Sequence, residues 1–239
     1  MMGKIRTAIV IWNPKKKSAK AIGSAVEKFL QKKGVKIIKG RKADLLVAVS
    51  GDGTILYNKN KYSAIIFGIG SKKSFVCQAN ERDWKGKLER LLAKPRFEKR
   101  MLLSSLLDGR KLPDALNEVV VRNRAHRILE LKLFVGKRKF AFRADGIMFS
   151  TPTGSSAYAY SCGGRELGKQ EKKYEIVAIA PFRRAFSPLI VPQSTKCLLK
   201  IVSECDAHAV IDGQFAYRLK RKSKVKVWRS GREVLLARA

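Results

Sequence analysis

The stretch Leu45–Thr54, LLVAVSGDGT, decides the fold class of this 239-residue chain. Five consecutive apolar residues predict a buried strand, and a carboxylate between two glycines follows it directly. Open α/β sheets bind ligands at the carboxyl ends of their strands, so Asp52 lies where chemistry is expected. The same pattern is also typical of a tight strand-to-helix turn with a capping aspartate. The loop has neither Walker A nor GxGxxG spacing and therefore indicates no general nucleotide-binding class.

The residues on both sides of this stretch continue an alternation of strands and helices. Strands are predicted over Lys4–Trp12, Val35–Ile38, Leu45–Val49 and Ala64–Ile69. Helices are predicted over Ala19–Lys33 and Trp84–Leu92. This order is typical of a parallel sheet, so the first domain is predicted to be α/β over residues 1–97.

From Glu98 onward the sequence changes to short β-branched runs separated by turn residues. The predicted strands are Met101–Leu107, Val119–Arg122, Ile128–Val135, Lys139–Phe142, Ile176–Ala180, Cys197–Val202, Ala209–Ile211 and Val225–Trp228. Such spacing favours a mainly antiparallel β domain, here predicted over residues 98–224.

Two further clusters carry polar groups suited to a ligand pocket. The first is Arg143–Tyr158, RADGIMFSTPTGSSAY, which combines hydroxyls with a proline and glycines. The second is Asn117-Glu118 at the start of a β-branched strand. Hydroxyl, amide and carboxylate groups can hydrogen-bond a flat polar ligand. Each residue also has a structural alternative: Asn117 as a turn cap, Asp145-Gly146 as a hairpin turn and Tyr158 as a core residue.

Together these motifs resemble those of the NAD kinase family, which phosphorylates the 2′-hydroxyl of the adenosine ribose of NAD. Ser50–Thr54 matches the family's GGDGT, Asn117-Glu118 its Asn-Glu pair, and Asp145–Tyr158 its DGxxxSTPTGSTAY block, with Ser156 in place of Thr. Asp212-Gly213-Gln214 and the segment from Gly68 to Phe75 resemble two weaker family elements. The chain departs from the family at Ser50 and Ser74, where glycine is usual.

The resemblance implies a Rossmann-like first domain, to which the segment at about 225–239 returns. It implies that Asp52 is the catalytic base for the ribose hydroxyl and that Mg²⁺ or another divalent cation takes part. The implied NAD-binding residues are Asp52, Gly53, Phe75, Asn117, Glu118, Arg143, Asp145, Thr153, Ser156, Ala157, Tyr158 and Gln214. The implied phosphate-donor residues are Asn13, Lys15, Gly51, Gly53 and Thr54.

The charge of the chain is extreme, because 52 Lys and Arg face 19 Asp and Glu, giving a net charge of +33. Such a field attracts polyanions. It is compatible with nucleic-acid binding, with a solvated basic surface, or with inorganic polyphosphate as phosphate donor beside ATP. Two rival functions stay open: a lipid or sphingoid-base kinase, which shares a Gly-Gly-Asp-Gly-Thr loop, and a non-enzymatic polyanion-binding protein.

The remaining features predict a cytoplasmic protein. No apolar stretch approaches the roughly 18 residues of a transmembrane helix, and no signal peptide is evident. The cysteines Cys77, Cys162, Cys197 and Cys205 lack the paired spacing of a zinc site and are expected to be reduced thiols. The family resemblance implies a homo-oligomer, either a dimer or a tetramer.

Overall fold

The computed structural model describes residues 4–124, 127–203 and 206–238, which form two compact units. The first unit comprises the chain up to Lys99 and its return from Val234 onward, and the second comprises Arg100–Glu233. Cys205 lies outside the described residues. No helix within the described ranges has the length and apolar character needed to cross a membrane.

The first unit is an α/β structure built on parallel strands. Its elements are β1 (Thr7–Trp12), α1 (Lys17–Lys32), β2 (Lys36–Ile37), β3 (Lys42–Val49), α2 (Asp52–Asn58), β4 (Ser63–Gly70), β5 (Ala79–Asn80) and α3 (Trp84–Ala93). The strands follow the order β2-β1-β3-β4. Trp12 pairs with Val49, and Val49 pairs with Ile69, so the carboxyl ends of the three long strands reach one edge.

Helices α1 and α3 cover one face of this sheet because their apolar residues recur every three or four positions. Val26 and Leu30 of α1 and Leu88 of α3 are fully buried against the strands. Burying a leucine side chain stabilises the fold by about 1.5–3 kcal/mol. Gly34, at φ +77°, follows the end of α1 and permits the chain to turn into β2. Both helices lie within a few residues of their predicted bounds.

The second unit is mainly antiparallel. Its strands are β6 (Phe97–Leu107), β7 (Arg110–Lys111), β8 (Glu118–Asn123), β9 (Leu129–Val135), β10 (Arg138–Ala144), β11 (Gly146–Ser150), β12 (Lys173–Ile179), β13 (Leu189–Pro192), β14 (Cys197–Ile201), β15 (Ala207–Ile211), β16 (Phe215–Leu219) and β17 (Lys224–Ala237). Short helical turns lie at Ser155–Ala159 and Phe182–Arg184. One layer has the order β10-β9-β14-β17, and the other has the order β13-β12-β11-β8-β15-β16.

Alternating apolar residues of the two layers form the core of the second unit. Leu131 and Leu133 of β9 and Val121 of β8 belong to this buried cluster. The last residues of β17 belong to the first unit, where Leu236 pairs in parallel with Ile66 of β4. An α/β unit followed by a β-rich unit confirms the predicted fold class. The sequence analysis did not predict strands β5, β7, β11, β13 and β16. Of these, β13 and β16 lie at the edges of their layer, whereas β11 lies inside it.

Candidate active site

Asp52 lies at the carboxyl edge of the parallel sheet, as the first residue of α2, and anchors the loop that follows β4. The backbone N–H of Phe75 donates to Asp52 Oδ2 at 2.7 Å. The N–H groups of Val76 and Cys77 both donate to Asp52 Oδ1 at 3.0 Å. A carboxylate offers about four acceptor sites, so most of the capacity of Asp52 is used inside the protein.

The two residues before Asp52 have the backbone conformation that glycine favours. Ser50 has φ +107° and Gly51 has φ +95°. Both backbone N–H groups donate to the carbonyl oxygen of Ile69, at 2.9 and 3.0 Å. The Ser50 hydroxyl is buried and has no hydrogen-bond partner among the described residues. Serine therefore occupies a strained conformation here without a compensating hydrogen bond.

A cavity of about 280 Å³ opens beside this turn, within the first unit. It is lined by Lys16, Ser18, Ala19, Ile22, Val49, Ser50, Gly51, Ile69, Gly70, Ser71, Ser74 and Glu81. The lining thus combines four serines with one lysine and one carboxylate. Of the predicted donor residues, only Gly51 lines this cavity.

The other predicted donor residues lie in two neighbouring turns. Asn13 Oδ1 accepts the Lys15 N–H at 3.0 Å, which fixes the turn after β1, and Lys15 is exposed. Thr54 is 8 % exposed, and its N–H donates to the Gly51 carbonyl at 3.0 Å. The amides of Gly51 and Thr54 are therefore engaged within the protein in this structure.

The loop anchored by Asp52 carries an exposed aromatic ring and a half-buried thiol. The Phe75 side chain is 66 % exposed although its N–H is fixed by Asp52. Burial raises the pKa of the Cys77 thiol well above its usual value, and the neighbouring Asp52 carboxylate raises it further. Cys77 is therefore a neutral thiol at physiological pH rather than a reactive thiolate.

In the second unit, Asp212 organises the Asn117-Glu118 segment. Its buried carboxylate accepts the backbone N–H groups of Leu116, Asn117 and Glu118 at 2.9, 2.8 and 3.0 Å. Asp212 and Gly213, at φ +50° and +65°, are the first two of the three residues that connect β15 to β16. Gln214 follows in this turn, where its N–H donates to the Ile211 carbonyl at 2.9 Å.

The Thr-Pro-Thr-Gly segment packs directly on Asn117. The Thr151 N–H donates to the Asn117 carbonyl at 2.8 Å, and Thr151 Oγ1 accepts the N–H of Thr153 at 3.1 Å. A Cβ at Gly154 would lie only 2.3 Å from the Asn117 carbonyl oxygen, so this approach requires glycine. Asn117 Oδ1 is buried and has no partner among the described residues. It is the polar atom of this segment most suited to accept a ligand N–H.

Tyr158 belongs to the helical turn that covers one face of the β8-β11-β12 sheet. It packs with Val120 and Met148, while Ala157 before it has a non-helical φ/ψ of −102°/−119°. Burial raises the pKa of Tyr158, and the neighbouring Cys162 and Glu118 raise it further while Arg122 opposes them. Tyr158 therefore lies close enough to Glu118 for the carboxylate charge to act on its phenol group.

Arg143 and Asp145 lie at the opposite end of β11 from this group. Gly146 pairs with Arg122 and Ser150 pairs with Glu118, four residues further along the strand. At about 3.4 Å per residue, this separates the two ends by about 14 Å. Arg143 is exposed and stacks over the Phe182 ring, with its guanidinium carbon 4.4 Å from the ring centre. Within one chain, these two residues are therefore not grouped with Asn117 and Glu118.

Comparison with known proteins identifies the family of this chain. A family model described as the ATP-NAD kinase C-terminal domain matches residues 116–239, more than half of the chain. The chain belongs to the NAD kinase family. NAD kinase of Methanosarcina barkeri is 28% identical over 236 residues, covering 96% of this chain and 86% of that protein. NAD kinase of Thermococcus sibiricus is 30% identical over 207 residues, covering 84% and 75%.

Solved structures of NAD kinase family proteins share the fold. Yeast NADH kinase complexed with NADH superposes with a TM-score of 0.89 at 18% identity, covering 99% of this chain and 84% of that chain. An NAD kinase from Archaeoglobus fulgidus in complex with ATP gives a TM-score of 0.82 at 24% identity, covering 98% and 94%.

The two departures from the NAD kinase family motifs differ in their structural consequence. Ser50 keeps the positive φ that glycine favours, so the turn follows a glycine-like backbone path. Ser74 has no positive φ, and its hydroxyl accepts the Ser71 N–H at 3.1 Å. Serine is therefore strained at the first position and helps to hold the loop at the second.

Asp212 is the residue whose structural importance the sequence analysis underestimated. The Asp-Gly-Gln resemblance drew attention to the segment, but only Gln214 was predicted to bind a ligand. The sequence did indicate a hairpin turn at this position, because Asp-Gly is a strong pattern for such turns. Nothing in the sequence shows that this turn reaches Asn117-Glu118, because the bonds join residues more than 90 positions apart.

The described residues could bind a divalent cation only together with a substrate whose phosphates supply further ligands to the ion. No three His, Cys, Asp or Glu side chains come together there as a metal-binding group. Asp52 is the one acidic side chain of the glycine turn, and it already accepts three N–H groups. Mg²⁺ is commonly held by one or two carboxylates together with substrate phosphates, and Asp52 would fit that arrangement.

Proposed function

We propose that this chain transfers a phosphate group from ATP to the 2′-hydroxyl of the adenosine ribose of NAD, which produces NADP. The observation that carries this proposal is the family match over residues 116–239. The structures of yeast NADH kinase with NADH and of the A. fulgidus NAD kinase with ATP support the two substrates. The match to the C-terminal domain model leaves the lipid-kinase alternative without support.

Asp52 is the residue proposed to accept the proton of the attacking hydroxyl. A general base must lie within hydrogen-bond distance of the proton that it removes. Asp52 Oδ1 accepts the N–H groups of Val76 and Cys77, whereas Oδ2 accepts only that of Phe75, so Oδ2 keeps an acceptor position for the proton. Asp52 therefore has two linked roles, holding the loop that carries Phe75 and accepting the proton.

The polar groups of the second unit are proposed to bind the NAD molecule. Asn117 Oδ1 is suited to accept the adenine amino group because this buried atom has no partner among the described residues. Thr153 is proposed to contact the adenine as well, and Glu118 the ribose hydroxyls. Tyr158, with Ser156 and Ala157, is proposed to form the wall of this pocket.

The remaining assignments follow the family motifs. Arg143 is proposed to neutralise a phosphate of NAD, Asp145 to contact the nicotinamide side, and Gln214 to contact NAD from its hairpin turn. In the first unit, Phe75 is proposed to pack against the dinucleotide, because an exposed ring on a fixed backbone loses little entropy on binding. Gly53 is proposed to let the ligand approach the backbone closely.

The turn residues of the first unit are proposed to bind the donor phosphates. Lys15 supplies positive charge, and Asn13, Gly51, Gly53 and Thr54 form the two turns beside it. Mg²⁺ would neutralise charge on the transferred phosphate when it is bound, the main electrostatic requirement of phosphoryl transfer. The high positive charge is compatible with inorganic polyphosphate as a second donor.

A direct assay tests this function. Purified protein is given NAD and Mg²⁺, with ATP or polyphosphate as donor in parallel at low and high salt, and NADP is measured. NADP formation that Asp52→Asn abolishes and that Asp83→Asn, a half-buried control at the start of α3, retains would support the proposal. Folded protein that binds NAD but forms no NADP with either donor would contradict it.

The proposal also covers where the enzyme is located and whether it forms oligomers. We propose a cytoplasmic enzyme, in agreement with the free thiols of Cys77, Cys162 and Cys197. We also propose a homo-oligomer, which the resemblance to the NAD kinase family implies. Sedimentation of the purified protein with and without NAD measures the oligomeric state directly, and a monomer under both conditions would contradict it.

A further inference from the structure

One outward face of the second unit concentrates basic side chains on an antiparallel sheet. The strands β10, β9, β14 and β17 bury one set of alternating residues in the core and expose the other. We call the exposed set the basic sheet face. It consists of Glu130, Lys132, Phe134, Lys139, Ala141, Arg143, Leu198, Lys200, Lys224 and Lys226. Six of these ten residues are basic and one is acidic.

Three lysines of the basic sheet face stand side by side across three strands. Lys132 pairs in register with Lys200, and Lys200 pairs with Lys224. Neighbouring strands lie about 4.8 Å apart, and like charges directly opposite each other destabilise a sheet. The single acid of the face, Glu130, lies beyond this row, opposite Arg143. An anion bound over the row would relieve this repulsion.

An aromatic ring lies at the centre of the basic sheet face. Phe134 pairs with Lys139 on one side and with Leu198 on the other, and it is half-buried. The ammonium groups of Lys139 and Lys200 lie 6.0 and 5.1 Å from its ring centre. The face therefore presents a half-buried aromatic ring with the flexible side chains of two lysines over it.

The basic sheet face continues into a cavity at β17. This cavity has a volume of about 400 Å³ and is lined by Leu106, Asp108, Gly109, Lys222, Lys224 and Lys226. Asp108 accepts the Lys224 backbone N–H at 2.7 Å, so its charge is partly engaged in fixing the turn. The positive surface thus extends from the open sheet into a depression along one edge.

We propose that the basic sheet face binds single-stranded nucleic acid, with lysines on the phosphates and Phe134 stacked on a base. Proteins that bind single strands without sequence preference combine a basic surface with aromatic rings on which bases stack, and stacking here requires the lysines over Phe134 to move toward the phosphates. A second copy of this chain fits poorly, because a symmetric contact would bring lysines against lysines. Inorganic polyphosphate would use the charges but not the ring.

The salt dependence of the affinity measures how much the lysine charges contribute to binding of the single strand. Binding of the full chain to a labelled single strand of about 12 nucleotides is measured by fluorescence anisotropy at several salt concentrations. Four neutralised phosphates predict a slope of about −3 for log affinity against log salt, or a loss of about 50-fold between about 50 and 200 mM salt. The variant that tests this replaces Lys132, Lys200, Lys224 and Lys226 with Gln.

The matched control replaces four exposed lysines of the first unit, Lys28, Lys32, Lys36 and Lys94, with Gln. Both variants lose the same charge. The face variant is expected to lose most of the affinity and about three units of the salt slope, whereas the control loses much less of both. Equal losses in the two variants would overturn the proposal in favour of diffuse attraction to the whole surface. Thermal melting of each variant verifies that it is folded.

Phe134→Leu tests the stacking contribution while keeping an apolar side chain. It is expected to weaken single-strand binding by at least about fivefold and to leave inorganic polyphosphate binding unchanged. Equal binding of both polyanions, with no effect of Phe134→Leu, would overturn the proposal. Tighter binding to vesicles of anionic lipid than to the single strand, or a changed oligomeric state in the face variant, would also overturn it. NADP formation, measured separately, is expected to be unchanged by these variants.

Discussion

Replacing Ser50 with glycine is expected to stabilise the protein, although glycine usually destabilises a folded chain. Ser50 has φ +107°, which side chains rarely adopt, and its buried hydroxyl has no partner among the described residues. A strained backbone conformation costs on the order of 1–3 kcal/mol. An unsatisfied buried hydroxyl costs about 1–3 kcal/mol more. Glycine removes both terms.

The opposing term is the greater freedom of glycine in the unfolded chain, which is about 0.5–1 kcal/mol. The net stabilisation expected for Ser50→Gly is about 3 kcal/mol. For a chain of this length, that corresponds to a rise in Tm of roughly 6–12 °C. Differential scanning fluorimetry measures the Tm, and urea unfolding measures the free energy independently.

Ser74→Gly is the matched control, because the NAD kinase family has glycine there too. Ser74 has no positive φ, and its hydroxyl accepts the Ser71 N–H at 3.1 Å. The control is therefore expected to lower the stability by about 1 kcal/mol. An unchanged or lowered Tm for Ser50→Gly, or equal shifts in the two variants, would refute the argument from backbone strain.

Three further variants test the site and the core. Asp52→Asn is expected to lower kcat by about 10²–10⁴-fold, the usual contribution of a general base. It should also raise KM for NAD, because the amide lacks one of the acceptors that hold the Phe75 loop, so unchanged steady-state kinetics would exclude both roles. Asp212→Asn should lower the free energy of unfolding by about 2 kcal/mol, measured in urea, because a buried carboxylate with three N–H donors is lost. Glu175 is fully buried, and burial raises its pKa above the usual 4.5, so the folded protein holds this proton more tightly than the unfolded chain does. Stability from this group is therefore present below pH 4.5 and is lost as the pH rises toward the folded pKa. Glu175→Gln should melt above the wild type near neutral pH and lose that advantage in acid, and a Tm difference independent of pH would contradict this assignment.

The elements that the sequence predicted well are those with strong local patterns. Helix α1 was predicted because Val26 and Leu30 recur at helical spacing and Gly34 ends the helix. Strands β13 and β16 are short edge strands, paired on one side only, with β12 and β15 respectively, and both were missed. The central strand β11 was also missed, because its residues lie in the Arg143–Tyr158 block that was interpreted as part of a ligand pocket. Their stability depends on pairing with a distant segment, which local propensity does not report.

In the candidate site too, local motifs were predictable from the sequence, whereas contacts between distant residues were not. The motifs around Asp52, Asn117 and Tyr158 were identified from residue types and spacing. The sequence did not show that Asp52 holds the Phe75 loop through three N–H groups. Nor did it show that Arg143 lies at the other end of β11 from Asn117, since this depends on strand register.

The sequence by itself determined the fold class and the family motifs, because both follow from local apolar periodicity and from short runs of polar residues. Only the tertiary structure decided which distant groups meet. Asp212 reaches Leu116–Glu118 across 94 to 96 positions. Lys132, Lys200 and Lys224 form one row only because three strands pair in register. Contacts of this kind depend on how the chain closes its long loops, and the local sequence carries no record of that closure.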